Sequence, residues 1–229
     1  MANNKLYDES VSLKATYDVF VAYNKAKEVV MSSGYEREID WQSNIEIDSV
    51  GESDFLQEYA WVVLSSGMKE SVIRRIFGRF SSAFCEWQSS LIISQHSNRC
   101  RESALRVFNN RRKVDGIIKT AQFIATVGFD EFRESLKKDT IKALLSLDFI
   151  GPITCYHLAK NIGLNVAKPD RHLKRIAQIF GYTDVQELCK EVSQSTGDKM
   201  SVVDLVFWRF AVITPEYRYV LMDYSRNQN

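Results

Sequence analysis

The amino-acid sequence predicts an all-α fold on three observations. Only 3 prolines and 10 glycines interrupt the 229 residues, so the chain has few of the breaks that a many-stranded protein needs. Leu, Ala, Lys, Arg and Glu recur at helical spacing, with apolar residues three and four positions apart. Hydrophobic residues make up 45% of the chain, which is enough for the core of one large domain or of two closely packed lobes.

The clearest local pattern lies between residues 144 and 176. A helical repeat of apolar residues runs up to Gly151-Pro152, where one helix ends and another begins, because glycine accepts unusual φ values and proline suits a first helical turn. The second helix continues to Gly163, a predicted C-cap. Asp170 then lies near the start of a third helix. We predict helix, tight hairpin, helix, loop and helix, with one carboxylate beside a basic cluster of Lys168, Arg171, Lys174 and Arg175.

Two motifs in this stretch resemble the helix-hairpin-helix and Gly/Pro-Asp superfamily of DNA glycosylases. The run Leu147-Asp-Phe-Ile-Gly151 is similar to the family's hairpin, except that Phe149 stands where the family usually has its first glycine. The run Lys168-Pro-Asp170-Arg-His172-Leu173 is similar to the family's aspartate motif. The resemblance covers roughly residues 55 to 212. It implies a two-lobed all-α fold, with residues 1–54 as an accessory segment packed on a core of 55–212 and residues 213–229 as a C-terminal tail.

The activity that this resemblance implies is base-excision repair of duplex DNA. Cleavage of an N-glycosidic bond leaves positive charge on the sugar, which a carboxylate can stabilise while it activates a water molecule. Asp170 is the predicted catalytic residue, in an active site between the lobes. In the competing interpretation Asp170 only caps its helix, and the chain is a non-catalytic DNA-binding protein that uses the hairpin as a phosphate clamp.

The predicted DNA contacts follow from how such hairpins hold a phosphate, through backbone N–H groups and the N-terminus of the second helix. We expect contacts at Gly151, Pro152, Ile153 and Thr154, and the basic residues suggest two more, at His172 and Lys113. Hairpins of the resembled family also hold a monovalent cation through backbone carbonyls, and this cation is the one cofactor that the resemblance allows here.

Other candidates concern the base that leaves the duplex stack for an enclosed pocket. In the resembled family the turn after an early helix fills the gap in the duplex, which makes Ser66, Gly67 and Met68 candidates. An ordinary turn between helices explains them equally well. Trp208 and Tyr156 are candidates for the pocket, although Trp208 first suggests a packing residue.

The position of lysines predicts the type of glycosylase. Bifunctional members of the family carry a lysine two residues after the final hairpin glycine, where its amine attacks the sugar. Here that residue is Ile153, so the resemblance implies a monofunctional enzyme without lyase activity. Lys168 is the alternative amine. Lys142 and Lys160 are weaker candidates, which we expect to face solvent.

Charge and cysteine usage limit the other function classes. The net charge is +1, but acidic residues dominate positions 36–58 and basic residues dominate 99–119, so one face can bind phosphates. The 4 cysteines are too widely spaced for a metal motif, and only Cys189 follows Asp170, which excludes the iron–sulfur loop of some family members. We predict no metal, an intracellular monomer without membrane association, and double-stranded DNA as the partner.

Three further expectations concern the ends of the chain and its last long helix. A helical pattern covers residues 5–33, and the segment from Tyr35 to Val50 alternates enough to predict an extended connection or a short strand. Residues 201–212 are apolar all round, which predicts a helix inside the core. From Pro215 onward we expect a surface tail.

Overall fold

A computed structural model of the protein describes residues 18–226, and within that range it contains fourteen α-helices and no β-strand. The all-α prediction is therefore confirmed. The helices are α1 (Val19–Val30), α2 (Glu36–Asn44), α3 (Glu52–Ser65), α4 (Glu70–Ala83), α5 (Ser90–Gln95), α6 (Ser97–Val107), α7 (Arg111–Val127), α8 (Phe129–Lys138), α9 (Thr140–Leu145), α10 (Thr154–Asn161), α11 (Arg171–Ile179), α12 (Val185–Thr196), α13 (Met200–Ile213) and α14 (Tyr217–Arg226).

The described residues divide into two compact units. The central unit is Asp40–Pro169, and the terminal unit combines the residues up to Ile39 with those from Asp170 onward. This division differs from the predicted segments 1–54, 55–212 and 213–229, because α1 packs with the last three helices, α12, α13 and α14. Sequence position alone does not reveal that the two ends of the chain share one core.

The terminal unit is built around α13, against which α1, α11, α12 and α14 pack. This helix is buried nearly all round, as its composition predicts. Its buried Arg209 donates a bond of 2.7 Å to Glu38, and the guanidinium lies 4.3 Å from the centre of the Tyr35 ring. A paired and stacked arginine is a tolerable group inside an apolar core.

The central unit is built around α3, which packs against α4, α7 and α10. Apolar residues surround this helix, and Phe55, Tyr59 and Leu64 are completely buried. Burial of each such side chain contributes about 1.5–3 kcal/mol. The helix is therefore the buried centre of this unit.

Two predictions about the chain's organisation were wrong. The segment from Tyr35 to Val50 is mostly helical, with α2 followed by a short 3₁₀ turn at Ile47–Ser49. Ile39 and Gln42, three residues apart, are buried, so the near-alternation of acidic and apolar residues concealed a helical period. The expected tail contains α14, in which Tyr217, Leu221 and Ser225 form a buried stripe at four-residue spacing.

The N-terminal helix prediction holds for the part that the structure describes. α1 begins after Asp18, whose carboxylate accepts hydrogen bonds from the N–H groups of Phe20 and Val21, so this residue caps the helix. Residues 5–17 of the predicted helix lie outside the described part of the chain. In residues 18–226 no helix is both long and apolar enough to cross a membrane.

Candidate functional site

The predicted hairpin lies between α9 and α10 in the central unit. The N–H of Leu147 donates to the carbonyl of Leu144 at 3.1 Å, and the N–H of Ile150 donates to that of Leu147 at 3.2 Å. Both Leu147 and Ile150 are buried, so the two ends of the turn are held in the core. The order of helix, hairpin, helix, loop and helix matches the prediction.

The hairpin leaves two backbone donors unused at the start of α10. The N–H of Gly151 donates to Thr154 Oγ1 at 2.7 Å, and Pro152 has no N–H to donate. The N–H groups of Ile153 and Thr154 donate no hydrogen bond to any residue of the described chain. Adjacent unused N–H groups at a helix N-terminus form an anion site. Ile153 and Thr154, rather than Gly151, are therefore the residues whose N–H groups can bind a phosphate.

Gly151 itself has no internal reason to be glycine. A Cβ atom at this position would meet only Thr154 Oγ1, at 4.0 Å, which is an ordinary van der Waals contact, and the backbone is not left-handed there. The absence of a side chain at this position leaves the backbone open to close approach by a ligand.

The hairpin is also tied to the core by Tyr59, a residue that the sequence did not single out. Its hydroxyl donates to the carbonyl of Asp148 at 2.7 Å and accepts a bond of 2.8 Å from Thr120 Oγ1. Burial raises the pKa of this phenol above its usual range. A tyrosine among the apolar residues of a largely buried helix is the one sequence signal for such a bond, since a buried hydroxyl needs a partner.

Asp170 caps α11 in the terminal unit. Its Oδ1 accepts hydrogen bonds from the N–H groups of His172, at 2.8 Å, and Leu173, at 3.1 Å. The side chain is partly exposed, and its Oδ2 accepts no bond within the described part of the chain. The capping role expected from the competing interpretation is therefore present. It uses one carboxylate oxygen and leaves the other for a ligand.

The alternative amine, Lys168, lies in the loop between α10 and α11. Its Nζ is 3.3 Å from Nδ1 of His157. Burial, and then the charges of Lys168 and Lys160, hold the pKa of His157 well below its usual range. A neutral imidazole nitrogen can accept a hydrogen bond from the ammonium group. Lys160, expected to face solvent, is buried instead.

The turn predicted after the early helix is a tight one. Ser66 has φ −59 and ψ 115, Gly67 has φ +73, and the N–H of Met68 donates to the carbonyl of Ser65 at 3.0 Å. These values define a type II turn, whose third position needs the positive φ that glycine accepts. Met68 is exposed, so its side chain is available to an external partner.

Lys113 has a different role from the predicted phosphate contact. It is only 8% exposed, and its Nζ donates to the carbonyls of Leu64, at 3.0 Å, and Ser66, at 2.6 Å. Burial lowers the pKa of this amine. Because its donors are directed at the C-terminal carbonyls of α3, the ammonium group stabilises the turn instead of reaching DNA.

Three other candidates are placed by packing contacts. The Trp208 ring lies 4.6 Å from the guanidinium carbon of Arg209 in the terminal unit. Tyr156 is partly buried against the core of the central unit. The His172 ring lies 5.6 Å from that of Tyr217. Each contact accounts for the residue as a packing element of its own unit, so the structure adds no support for a ligand role.

The central unit also contains a cavity that the sequence did not predict, with a volume of about 460 Å³. Glu58 lines it and accepts a hydrogen bond of 2.8 Å from Nδ2 of Asn161. Burial raises the pKa of Glu58 to about 7. The remaining lining residues are Asp40, Trp41, Asn44, Ile45, Ser49, Val50, Asp54 and Gln57. Nowhere in residues 18–226 do three or more His, Cys, Asp or Glu side chains form a group that could hold a metal ion.

Comparison with known proteins identifies the fold. No protein-family model matches the sequence, and no curated protein matches it. The structure is similar to an 8-oxoguanine glycosylase/lyase of Methanocaldococcus jannaschii, solved with a 15mer DNA containing 8-oxoguanine, with a TM-score of 0.59 and 18% identity over 83% of this chain and 97% of that one. It is also similar to the 8-oxoguanine DNA glycosylase of Thermotoga maritima, with a TM-score of 0.58 and 15% identity over 85% and 97% of the two chains. The chain therefore shares the helical fold of these two proteins.

Proposed function

We propose that this protein is a DNA glycosylase of base-excision repair, which removes a damaged or modified base from duplex DNA by hydrolysis. One observation carries the proposal. A hairpin with two unused N–H donors at the start of α10 is followed, one helix later, by α11, which is capped through one oxygen of Asp170. Both features occur in a fold that is shared with two 8-oxoguanine glycosylases. A phosphate clamp and a carboxylate are the parts that glycosidic hydrolysis on DNA requires.

In the proposed mechanism the N–H groups of Ile153 and Thr154 bind a backbone phosphate, with the N-terminus of α10 adding its favourable dipole. The target base leaves the stack. As the C1′–N bond breaks, its electron pair departs with the base, and positive charge develops on the sugar. Asp170 Oδ2 stabilises that charge and accepts a proton from the water that attacks C1′. The departing base takes up a proton from solvent and Asp170 later releases the proton that it accepted, so the products are the free base and an abasic site on an intact strand.

The absence of lyase activity is part of the same proposal. Ile153, which occupies the position of the family's nucleophilic lysine, has no amine. The ammonium group of Lys168 is 3.3 Å from His157 Nδ1, and this contact favours a structural role over attack on the sugar. Hydrolysis by water is therefore the pathway that these residues support, even though the compared protein of Methanocaldococcus jannaschii is a glycosylase/lyase.

The hairpin has suitable ligands for the monovalent cation that the family resemblance implies. The carbonyl oxygens of Phe149 and Ile150 accept no hydrogen bond within residues 18–226. Uncharged carbonyl oxygens are the kind of ligand that hard cations prefer. We propose that a bound cation would be held by these two carbonyls and would favour the approach of a phosphate.

The second candidate function is binding without catalysis, and the capping bonds of Asp170 are the observation that favours it. The two functions are separated by a panel of duplexes, each carrying a single lesion, with 8-oxoguanine tested first because both compared proteins act on it. Release of a free base, detected by chromatography, supports the glycosylase. Tight binding to every duplex with no base released from any would support the binding protein.

A further inference from the structure

The hairpin residue Phe149 lies against Gly116, in the middle of α7. A Cβ atom on Gly116 would be 2.6 Å from Cδ2 and 2.7 Å from Cε2 of the Phe149 ring, and 3.3 Å from Cβ of Asp148. Distances below 3.0 Å do not occur between real side chains, so the ring occupies the space that any other residue at position 116 would fill. The close approach of ring and helix requires glycine.

Nothing else in α7 calls for glycine at position 116. The backbone there is helical rather than left-handed, and a glycine inside a helix costs roughly 1 kcal/mol relative to alanine. The residue is buried, so a larger side chain would also gain apolar contact at an ordinary site. Retaining glycine at such a position is explained by the ring that lies on it.

Phe149 has an unusual backbone conformation as well. Its φ is +64, a left-handed value that costs an L-residue with a Cβ about 1–2 kcal/mol. This is the hairpin position at which the family pattern usually has glycine, which adopts that conformation without strain. One edge of the ring, Cδ2 and Cε2, lies against Gly116, while the side chain stays 38% exposed. The contact with α7 therefore offsets the backbone strain and holds the turn.

We propose that Gly116 is a positioning residue for the DNA grip of this protein. The ring of Phe149, seated on Gly116, fixes the hairpin in place of the missing glycine, and thereby fixes the N–H groups of Ile153 and Thr154 that bind phosphate. The bond from Tyr59 to the carbonyl of Asp148 secures the adjacent peptide. We call the contact between the Phe149 ring and Gly116 the interlock. The proposal rests on the proposed function, because it assigns this interlock to DNA binding.

A double-mutant cycle on Gly116→Ala and Phe149→Gly tests the interlock through the affinity for an undamaged duplex, measured by fluorescence anisotropy. We expect Gly116→Ala to weaken binding about tenfold, because the added methyl expels the ring. In the Phe149→Gly background there is no ring to expel, so Gly116→Ala should have only a small further effect, from its contact with Cβ of Asp148. Equal losses in both backgrounds, or no loss in either, would overturn the proposal.

Gly78→Ala is the matched control, since Gly78 also lies inside a helix and a Cβ there meets no atom within 4 Å. We expect it to leave DNA affinity unchanged. If Gly116→Ala does not fold, Phe149→Ala empties the same space without adding atoms, and it should weaken DNA binding in a protein that stays folded. Unchanged affinity in that variant would contradict the interlock.

Hydrogen exchange without DNA separates failure of this inference from failure of the proposed function. We expect Gly116→Ala to accelerate exchange about tenfold at the amides of Ile150 and Gly151, which are hydrogen-bonded within the turn, and the Phe149→Gly background to abolish that effect. If the wild-type protein binds no duplex, the proposed function is contradicted. The exchange result still tests the interlock in that case. Exchange rates unchanged by Gly116→Ala would remove the interlock even in a protein that binds DNA.

Discussion

Lys113 donates a hydrogen bond of 2.6 Å from its ammonium group to the carbonyl oxygen of Ser66, and a second of 3.0 Å to that of Leu64. These bonds cross from α7 to the end of α3. They satisfy carbonyls that a helix C-terminus leaves without an internal partner. The buried ammonium group of Lys113 therefore stabilises the turn at Ser66 and Gly67, which is the predicted element for the gap in the duplex.

Replacement of this lysine by methionine should destabilise the protein. Lys113→Met keeps most of the aliphatic chain but leaves two carbonyls without their donor, which costs about 1–3 kcal/mol. Urea unfolding measures the loss. Lys138→Met, the same change at an exposed residue of α8, should alter the free energy of unfolding by less than about 0.5 kcal/mol. Equal effects of the two variants would show that the bonds from Lys113 contribute nothing.

If the hairpin binds a DNA phosphate, the affinity for duplex DNA should depend on salt and on the residue at position 151. Phosphate binding releases counterions, so the logarithm of the association constant should fall with the logarithm of salt concentration, with a slope of about −0.9 for each phosphate neutralised. Gly151→Ala should weaken duplex binding at every salt concentration while the protein stays folded, because a Cβ there meets no clash within the protein. Wild-type affinity in Gly151→Ala would place the DNA elsewhere on the protein.

The ionisation of Glu58 makes the free energy of unfolding depend on pH. Its pKa is about 7 in the folded protein, against 4.5 for an unperturbed glutamate, so the folded state holds the proton more tightly than the unfolded state does. The contribution to stability is complete below pH 4.5 and falls as the pH rises towards 7. At most about 3 kcal/mol is lost over that range.

Glu58→Gln should remove this dependence, because an amide does not ionise and its oxygen can still accept the bond from Asn161. We expect the variant to melt at a higher temperature than the wild type at pH 8, and at about the same temperature at pH 4.5. Glu102→Gln, at an exposed position of α6, is the control and should leave the pH profile unchanged. A wild-type profile in Glu58→Gln would mean that another group titrates.

Borohydride trapping tests the monofunctional assignment. Reduction traps a Schiff base between an amine and the sugar, and we expect no covalent adduct, since Ile153 has no amine. Strand breaks should appear only after alkali treatment. An adduct that forms on the lesion duplex and disappears in Lys168→Gln would identify Lys168 as a nucleophile and show that the enzyme is bifunctional.

The elements that the sequence predicts well are those whose signal is local. The hairpin is marked by Gly151-Pro152, and α13 by a run that is apolar on every side. α14 shows why the tail prediction was wrong: its buried residues are only every fourth position, among exposed and half-buried ones, which is a weak signal in a sequence. A short amphipathic helix near a chain end is easily read as a tail.

The residues that sequence analysis missed or assigned wrongly are paired across long stretches of chain. Tyr59 meets Asp148 across 89 positions, Glu58 meets Asn161 across 103, and Lys113 reaches Leu64 across 49. No periodicity or motif reports such a pair, because each depends on how α3 packs against α7, α10 and the hairpin before α10. The basic run around Lys113 predicted a phosphate contact, because the charge of a residue in a sequence does not show whether its side chain is buried.

The role of Asp170 is the central claim, and single-turnover base excision by Asp170→Asn tests it most directly. Asparagine keeps the size of the side chain and an oxygen to cap α11, so folding and the helix should survive, while no carboxylate remains to accept a proton from water. On a duplex that the wild type processes, we expect excision to slow by at least about 100-fold, with DNA affinity equal or higher because a negative charge is gone. Excision at the wild-type rate by this variant would contradict the account.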